Sequence, residues 1–373
     1  MKKKIFRKII SDINIFFLVV LISIGSIVWV VQAVSFLDFI SEDGHGFQVY
    51  FYYTLLNFPK ILSGILPFIL FLSIFYTFIR YENNNELLIF WTNGITKVDF
   101  AKIIIKFSII YLIIQILLTT IIVPKSQNLA RTYIRNSTID FFPSLIKEKK
   151  FIDTVENLTI FIEKKNANGE MFNILLKDQL GDGSSQIIYA KKGYLDVSDN
   201  KNFLVLENGK IINNENKEIV SLNFGETKFN LSNYTTKTTT WPKIQEHNTF
   251  TLFSCIINTL NKQQIFKENY YLRCTPSFYP EVIKEFLKRV YLPIYLPIIS
   301  LIACFLIIKS KESFNYSKLK LLLFILGILI IIISELTIKL VILNQLAFII
   351  FILLPFLIFF MTFNIFKKQT SKI

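Results

Sequence analysis

The feature that most constrains this chain is a series of six apolar blocks, each long enough to cross roughly 30 Å of hydrocarbon as an α-helix. They lie at residues 13–37, 54–79, 103–123, 290–308, 319–338 and 340–363. The third is predicted to end at Pro124, since proline interrupts the helical hydrogen-bond ladder. Hydrophobic residues make up 52% of the 373 residues, more than a soluble domain of this size could bury. We therefore predict an α-helical membrane protein with six transmembrane helices.

Positive charge beside the apolar blocks predicts their orientation. Lys and Arg cluster at both termini and between blocks two and three and blocks four and five, whereas residues 38–53 contain neither. With six spans, all four basic flanks fall on one side, so both termini are predicted to be cytoplasmic. The first block resembles a cleaved signal peptide in its basic start, but its apolar run exceeds the usual ~7–15 residues. We interpret it as a retained helix.

The polar region between the third and fourth blocks, residues 125–284, is predicted to form a domain outside the cytoplasm. Hydrophobic residues alternate along its middle, as at Leu158, Ile160 and Ile162, between turns rich in Asn, Asp and Gly. This pattern predicts antiparallel β-structure with a core near residues 150–235. The chain thus divides into helices 1–3 at 1–124, the inserted domain at 125–284 and helices 4–6 at 285–373.

The sequence contains no motif that supports catalysis. There is no GxxxxGK[ST] phosphate loop, no GxSxG, no HExxH and no CxxC, so no catalytic residue, metal or cofactor is predicted. The net charge of +14 gathers beside the apolar blocks, which favours membrane topology over nucleic-acid binding. Cys255 and Cys274 either form a disulfide in an oxidising compartment or remain free, and Cys304 is predicted to be a buried hydrophobe.

A short apolar helix is predicted in the loop between the second and third blocks. The asparagines at 83–85 are expected to cap it, Glu86 begins its first turn, and Gly94 is expected to end it in the left-handed region. Its hydrophobic residues exceed what a solvated loop needs: Leu87, Leu88, Phe90 and Trp91. Such a helix is either half-buried in the membrane interface or docked on another protein.

Several cations lie near the predicted outer ends of helices, against the usual charge rule. They are Lys60, Lys125, Lys288, Arg289 and Lys339. These side chains either meet anionic groups of a ligand or extend to ordinary lipid headgroups and nearby glutamates. Glu285 and Arg289 are spaced i,i+4 on one helix face and are predicted to form a structural ion pair.

Two segments resemble a known family. NNELLIFWTNGIT at 84–96 is similar to the sELxxxxAxGxS signature of the LptF/LptG family of lipopolysaccharide-export permeases, and EFLKRVYLP at 285–293 resembles its E-x-x-x-R-x-x-x-P entry to the fourth helix. The layout of three helices, a β-domain and three helices is similar as well, and the N-terminal part is more like LptF. Trp91 and Thr92 depart from the Arg and Ala that are usual in the family.

The resemblance implies a non-catalytic subunit of an ABC transporter in the bacterial inner membrane that extracts lipopolysaccharide. It implies a homologous LptG-like permease, a cytoplasmic LptB-like ATPase dimer and periplasmic LptC/LptA-like β-jellyroll proteins as partners, with no nucleic acid. The inserted domain would be β-jellyroll-like. ATPase coupling is expected at Glu86, Leu87, Phe90, Trp91 and Gly94. Lipid binding is expected at the five cations and along Leu158, Ile160 and Ile162, with Ile187 and Ile188.

The sequence leaves two alternatives open. The face that carries Leu158, Ile160 and Ile162 is either an acyl-chain groove or an ordinary packed core, because an alternating pattern fits both. The whole chain is either the permease described above or a membrane-anchored periplasmic receptor or scaffold that moves nothing. A coupling helix distinguishes these two functions, since a passive receptor has no need of an ATPase.

Overall fold

The structure is a computed structural model that describes residues 2–37, 46–136, 148–155, 157–166, 169–179, 184–198, 201–215, 218–231, 243–260, 279–340 and 345–371. Its α-helices are α1 (Lys2–Ser35), α2 (Phe47–Leu56), α3 (Phe58–Asn83), α4 (Leu87–Thr92), α5 (Lys97–Leu117), α6 (Val123–Asn136), α7 (Thr249–Leu260), α8 (Tyr279–Val290), α9 (Leu296–Cys304), α10 (Tyr316–Leu340) and α11 (Gln345–Thr370). Its strands are β1 (Phe151–Val155), β2 (Leu158–Lys165), β3 (Met171–Gln179), β4 (Ser185–Ser198), β5 (Lys201–Glu215) and β6 (Glu218–Asn230).

The chain forms two compact units. The helical unit contains Met1–Val30, Asn57–Gln127 and Lys243–Ile373, and the sheet unit contains Val31–Leu56 and Asn128–Pro242. Within the described residues, six helical segments are long and apolar enough to cross a membrane: Lys3–Ser35, Phe47–Asn83, Lys97–Ile134, Tyr279–Ile308, Tyr316–Ile338 and Ile352–Thr370. These segments, with an antiparallel sheet inserted between the third and fourth, confirm the predicted fold class.

The fourth segment lies at the centre of the helical unit. Every residue of α9 is buried, and α9 packs against α3, α5, α10 and α11. A close approach also joins α3 to α10, because a Cβ on Gly327 would lie 2.1 Å from the ring of Phe71. Glycine at this position therefore lets a buried phenylalanine reach the neighbouring helix backbone. The outer helices α1 and α10 leave many apolar side chains exposed, as expected of surfaces that face lipid or a partner helix.

The third segment does not end at Pro124 as predicted. After α5, one π-helical turn (Leu118–Ile122) leads directly into α6, and Pro124 lies in the first turn of α6. A proline here removes the N–H that would bond to the carbonyl of Thr120 four residues earlier. The hydroxyl of Thr249 donates to that carbonyl at 2.7 Å instead. The helix continues through Pro124, and the carbonyl of Thr120 receives its hydrogen bond from Thr249 instead of from the missing proline N–H.

The described strands form one antiparallel sheet in sequential order from β1 to β6, so every strand pairs with its neighbour in the chain. Ile160 lies opposite Leu176, which in turn lies opposite Ile188. Alternate residues along each strand thus meet on one buried face. Ile188 belongs to this face, but Ile187 is only half-buried, so the prediction that both line it is wrong. Adjacent strand residues point to opposite sides of a sheet.

Candidate functional site

The short predicted helix is present as α4, and both of its ends are closed by backbone hydrogen bonds. At its C-terminus, Gly94 has φ +68°, its N–H donates to the carbonyl of Trp91, and the N–H of Ile95 donates to the carbonyl of Phe90. This is a Schellman motif, in which a left-handed residue satisfies the last helical carbonyls. The left-handed geometry predicted for Gly94 is therefore confirmed.

The N-terminus of α4 differs from the sequence prediction. The N-cap residue is Glu86, with no side-chain capping bond, and the asparagines at 83–85 close the preceding helix instead. Asn85 has φ 60°, and the N–H of Glu86 donates to the carbonyl of Tyr81 at 2.8 Å, which is a second Schellman motif. Asparagine tolerates the left-handed region, so it serves here as the end of α3. The two motifs place a hydrogen-bonded turn on each side of α4.

The inner face of α4 is built into the helical unit. Leu87 and Phe90 are 2% and 1% exposed. The ring of Phe90 packs edge-to-face on Phe6 of α1 and Phe100 of α5, with centroids 5.5 and 5.1 Å apart. Each such aromatic pair contributes ~0.5–1.5 kcal/mol beyond its area burial. Leu87 and Phe90, two of the residues that we expected at an ATPase contact, thus lie in the chain's own core.

The outer face of α4 carries exposed apolar side chains. Leu88 and Ile89 are 55% and 49% exposed, and Trp91 is partly buried against the ring of Phe100. Sequence reasoning did not select Leu88 or Ile89 for this face. Residues 87–91 are all apolar, so periodicity has no polar contrast from which to assign a face. Glu86 lies beside them and pairs with Lys8 at 3.6 Å, and because the lysine is exposed the pair is of small energetic value.

The first helix is tied to the same region by polar contacts within the hydrophobic bundle. The hydroxyl of Tyr81 donates to Asp12 Oδ2 at 2.6 Å, and that of Tyr111 donates to Asn14 Oδ1 at 2.8 Å. Together with the packing of Phe6 on Phe90, these bonds join the N-terminal part of α1 to α3, α4 and α5. This part of α1 is thus bonded to the helices that flank α4 and packs on α4 itself.

The loop that follows the central helix is hydrogen-bonded to the chain on both sides of α4. The backbone N–H of Lys311 donates to Glu82 Oε1 at 2.8 Å, and Lys311 Nζ donates to the carbonyl of Asn83 at 2.9 Å. On the other side, Lys97 Nζ donates to the carbonyl of Ile308 at 2.9 Å and lies 6.0 Å from the ring centroid of Trp91. Lys311 of the loop and Lys97 of α5 thus join the ends of α3 and α5, which flank α4, to the residues that follow α9.

The opposite end of the helical unit is organised by one arginine. Arg289 is 3% exposed, and Arg289 Nε donates to Glu285 Oε1 at 3.0 Å. Its Nη1 donates to the carbonyl of His247 and to Thr249 Oγ1, and its Nη2 to the carbonyl of Gln245. Most of the five N–H groups of the guanidinium thus donate to acceptors within this chain. Its geometry is that of a structural clamp that joins α8 to the segment preceding α7.

The π-helical turn lies beside this clamp. Thr119 donates through its hydroxyl to the carbonyl of Arg289 at 2.8 Å, and Thr249 bonds both to Arg289 and to the carbonyl of Thr120. Two polar side chains therefore link the third and fourth segments and the start of α7. π-helical turns within α-helices occur frequently at functional sites.

The other predicted cations differ from Arg289 in being accessible. Lys60, Lys125 and Lys288 are exposed. Lys60 Nζ donates to Gln245 Oε1 at 3.1 Å, and Lys60 is close enough to Lys288 for the two charges to repel. This pair forms an exposed positive patch beside the Arg289 clamp. The side chain of Lys339 lies outside the described residues.

Leu158, Ile160 and Ile162 lie in the hydrophobic core of the sheet unit. Each is at most 1% exposed, and they pack with Met171, Ile174 and other residues of β3 to β5. In this structure they form a closed packed core, so an acyl chain would reach them only if the sheet opened.

Among the described residues, no group of three or more His, Cys, Asp or Glu side chains is arranged to hold a metal ion.

The two cysteines that the structure describes differ in their bonding. Cys255, in α7, is disulfide-bonded, and Cys304, in the buried α9, is free. Cys274 lies outside the described residues. Disulfides form and persist in oxidising compartments.

These features define a multi-pass helical membrane protein with an inserted antiparallel β-domain, a built-in surface helix at one end and a buried arginine clamp at the other. The sequence matches the family model of the lipopolysaccharide export system permeases LptF/LptG over residues 7–368. The chain belongs to this family, which confirms the resemblance seen at 84–96 and 285–293. This family includes both LptF and LptG, so the greater likeness to LptF stays a prediction.

The chain is also similar to the uncharacterized protein RP871 of Rickettsia prowazekii (strain Madrid E). The two are 24% identical over 206 residues, which make up 55% of this chain and 57% of that protein. The chain therefore matches little more than half of the length of this curated relative.

Proposed function

We propose that this chain is the permease subunit of an ABC transporter that extracts lipopolysaccharide from the bacterial inner membrane and passes it to a periplasmic bridge toward the outer membrane. The observation that carries the proposal is the construction of α4. Its inner residues are fixed in the bundle by aromatic packing, and its outer residues Leu88 and Ile89 expose apolar surface. A force applied to the outer face would reach α1, α3 and α5 directly.

The proposed cycle requires partners because the chain has no phosphate-binding loop. A cytoplasmic ATPase dimer would bind the outer face of α4 and the equivalent helix of a second, homologous permease. Periplasmic β-jellyroll proteins would receive the lipid from the sheet unit. ATP binding and hydrolysis belong to the ATPase, and this chain supplies the mechanical connection and the membrane path.

The exposed pair of Lys60 and Lys288 is the proposed contact for phosphate groups of the glycolipid. Two accessible ammonium groups near the end of an apolar helix suit an anionic headgroup whose acyl chains remain in the membrane. Arg289 is assigned a different role, since its hydrogen bonds are directed to Glu285 and the segment at Gln245–Thr249. We therefore treat the clamp as structural and the two lysines as the ligand-facing group.

Affinity purification of the full chain in a mild detergent tests the proposal. We expect recovery of an ABC ATPase and a second six-helix permease, because α4 exposes a surface for the first and a half-transporter requires the second. Recovery of the chain alone, or with periplasmic proteins only, would instead support a membrane-anchored receptor or scaffold. A parallel purification of an unrelated six-helix membrane protein controls for non-specific capture.

The proposed orientation places both termini and α4 in the cytoplasm and the sheet unit in the periplasm. It is motivated by the basic flanks, which include the exposed Lys318 of α10, and by the disulfide at Cys255. A cysteine introduced at Lys191 in β4 should react with a membrane-impermeant maleimide in cells with a permeabilised outer membrane. A cysteine at Lys318 should react only after lysis. Labelling of position 318 before lysis would contradict the orientation.

A further inference from the structure

A cleft of about 560 Å³ lies beside α4, between the N-terminal end of α1 and the start of α5. Its size falls in the roughly 300–1,000 Å³ range of small-molecule sites. Phe6, Ile10, Ile95 and Ile103 provide an apolar lining, and Lys3, Arg7 and Asp99 provide the charged groups. The cleft is thus apolar inside and ionic at its rim.

The rim has an excess of positive charge. Lys3 and Arg7 are spaced i,i+4, so both side chains lie on one face of α1. Both are exposed, and within the described part of the chain neither forms an ion pair. The Asp99 carboxylate, by contrast, is already engaged, since it lies 3.5 Å from Lys102 Nζ and accepts a hydrogen bond from Thr96 Oγ1 at 2.7 Å. Two cations are therefore left to meet an anion from outside the chain.

The cleft lies where the apolar runs of α1 and α5 begin. Lys3 and Arg7 precede the apolar run of α1, which begins at Ile13, and Ile103 lies a turn and a half inside α5 from its start at Lys97. Basic groups beside an apolar lining at the start of two apolar runs match a lipid that has an anionic headgroup. Basic pockets between transmembrane helices are a known means of binding such headgroups. A soluble anion would leave the apolar lining uncovered, and an apolar ligand would leave the cations unpaired.

We propose that this cleft binds an anionic glycerophospholipid of the leaflet that borders the N-terminus of α1. Lys3 and Arg7 bind its phosphate, and the first part of an acyl chain lies along Ile10 and Ile103. Phe6 gives the site a second consequence, because its ring lines the cleft and also packs on Phe90 of α4. The bound lipid contacts Phe6 and so stabilises the position of that helix. The inference is independent of the proposed lipopolysaccharide contact at the other end of the bundle.

Native mass spectrometry tests the lipid site. The full chain, with any partners that co-purify, is reconstituted in nanodiscs that contain equal amounts of phosphatidylglycerol and phosphatidylcholine, and the lipids retained after release are counted. The wild-type chain should retain phosphatidylglycerol preferentially. K3Q/R7Q should reduce that retention about thirtyfold, the effect expected for two basic residues at an anionic surface. I103W should cause a similar loss by filling the cleft without changing its charge.

The matched control is K4Q/K318Q, which removes two exposed lysines that do not line the cleft. It should retain phosphatidylglycerol as the wild type does. Equal retention of both lipids by the wild-type chain would overturn the proposal, as would an equal loss in K4Q/K318Q, which would mean non-specific attraction by cytoplasmic charge. Unchanged thermal unfolding of I103W and K3Q/R7Q in detergent shows that a loss does not come from misfolding.

Discussion

Replacing Leu88 and Ile89 together by glutamate is expected to abolish recovery of the ATPase while leaving the chain folded and inserted. Both side chains are about half exposed, so the substitutions cost the fold little. On the ATPase they would place two carboxylates in an apolar groove without partners. An interface hot spot contributes ~2 kcal/mol or more, so losing two lowers the affinity by about a thousandfold. Co-purification in mild detergent and lipopolysaccharide-dependent ATP hydrolysis are the measurements.

The same helix supplies the contrasting variants. F90A and L87A remove side chains that are almost fully buried, so they should lower the free energy of unfolding by about 2–5 kcal/mol and weaken coupling indirectly. Loss of ATPase binding in L87A would not identify a contact for this reason. The charge control is N315E/S317E, which adds two carboxylates at exposed positions near the same end. ATPase recovery with L88E/I89E at the wild-type level would show that α4 is an interfacial anchor and not a coupling element.

The membrane helices and the β-domain could be predicted from sequence because their signals are long and local. Twenty consecutive apolar residues have few alternatives to a transmembrane helix, and the alternation at Leu158, Ile160 and Ile162 specifies a half-buried strand. The faces of α4 could not be predicted. All five residues from Leu87 to Trp91 are apolar, so only the packing of Phe6 and Phe100 decides which of them turn inward.

The remaining differences arise from contacts between residues far apart in the chain. Pro124 has the properties of a helix end, but the hydroxyl of Thr249, more than a hundred residues later, donates to the carbonyl that proline leaves without a donor. For Arg289, the spacing from Glu285 predicts an ion pair, but the three acceptors at Gln245, His247 and Thr249 have no local signal. The sequence therefore suggested a ligand-facing cation where the structure has a clamp.

The second large effect is expected at this clamp. Arg289→Lys should strongly destabilise the helical unit although it keeps the charge. An ammonium group has three donors on a flexible stem and does not reproduce the planar fork that reaches Glu285, Gln245 and His247 at once. Each acceptor that loses its donor in this part-buried site costs about 1–3 kcal/mol. The free energy of unfolding in mixed micelles, or the Tm in detergent, measures the loss.

The matched variant at the same end is K60Q/K288Q, which removes two positive charges from exposed side chains. Because neither lysine is buried, this variant should keep the wild-type Tm, and it should lower the yield of lipopolysaccharide captured by a photo-crosslinker at position 125. Arg289→Lys should instead lower the Tm, and it should do so in the absence of any lipid. If Arg289→Lys unfolds like the wild type and mainly loses lipid capture, then Arg289 contacts the ligand, and the clamp assignment is wrong. A lower Tm in K60Q/K288Q would assign those lysines to the fold instead.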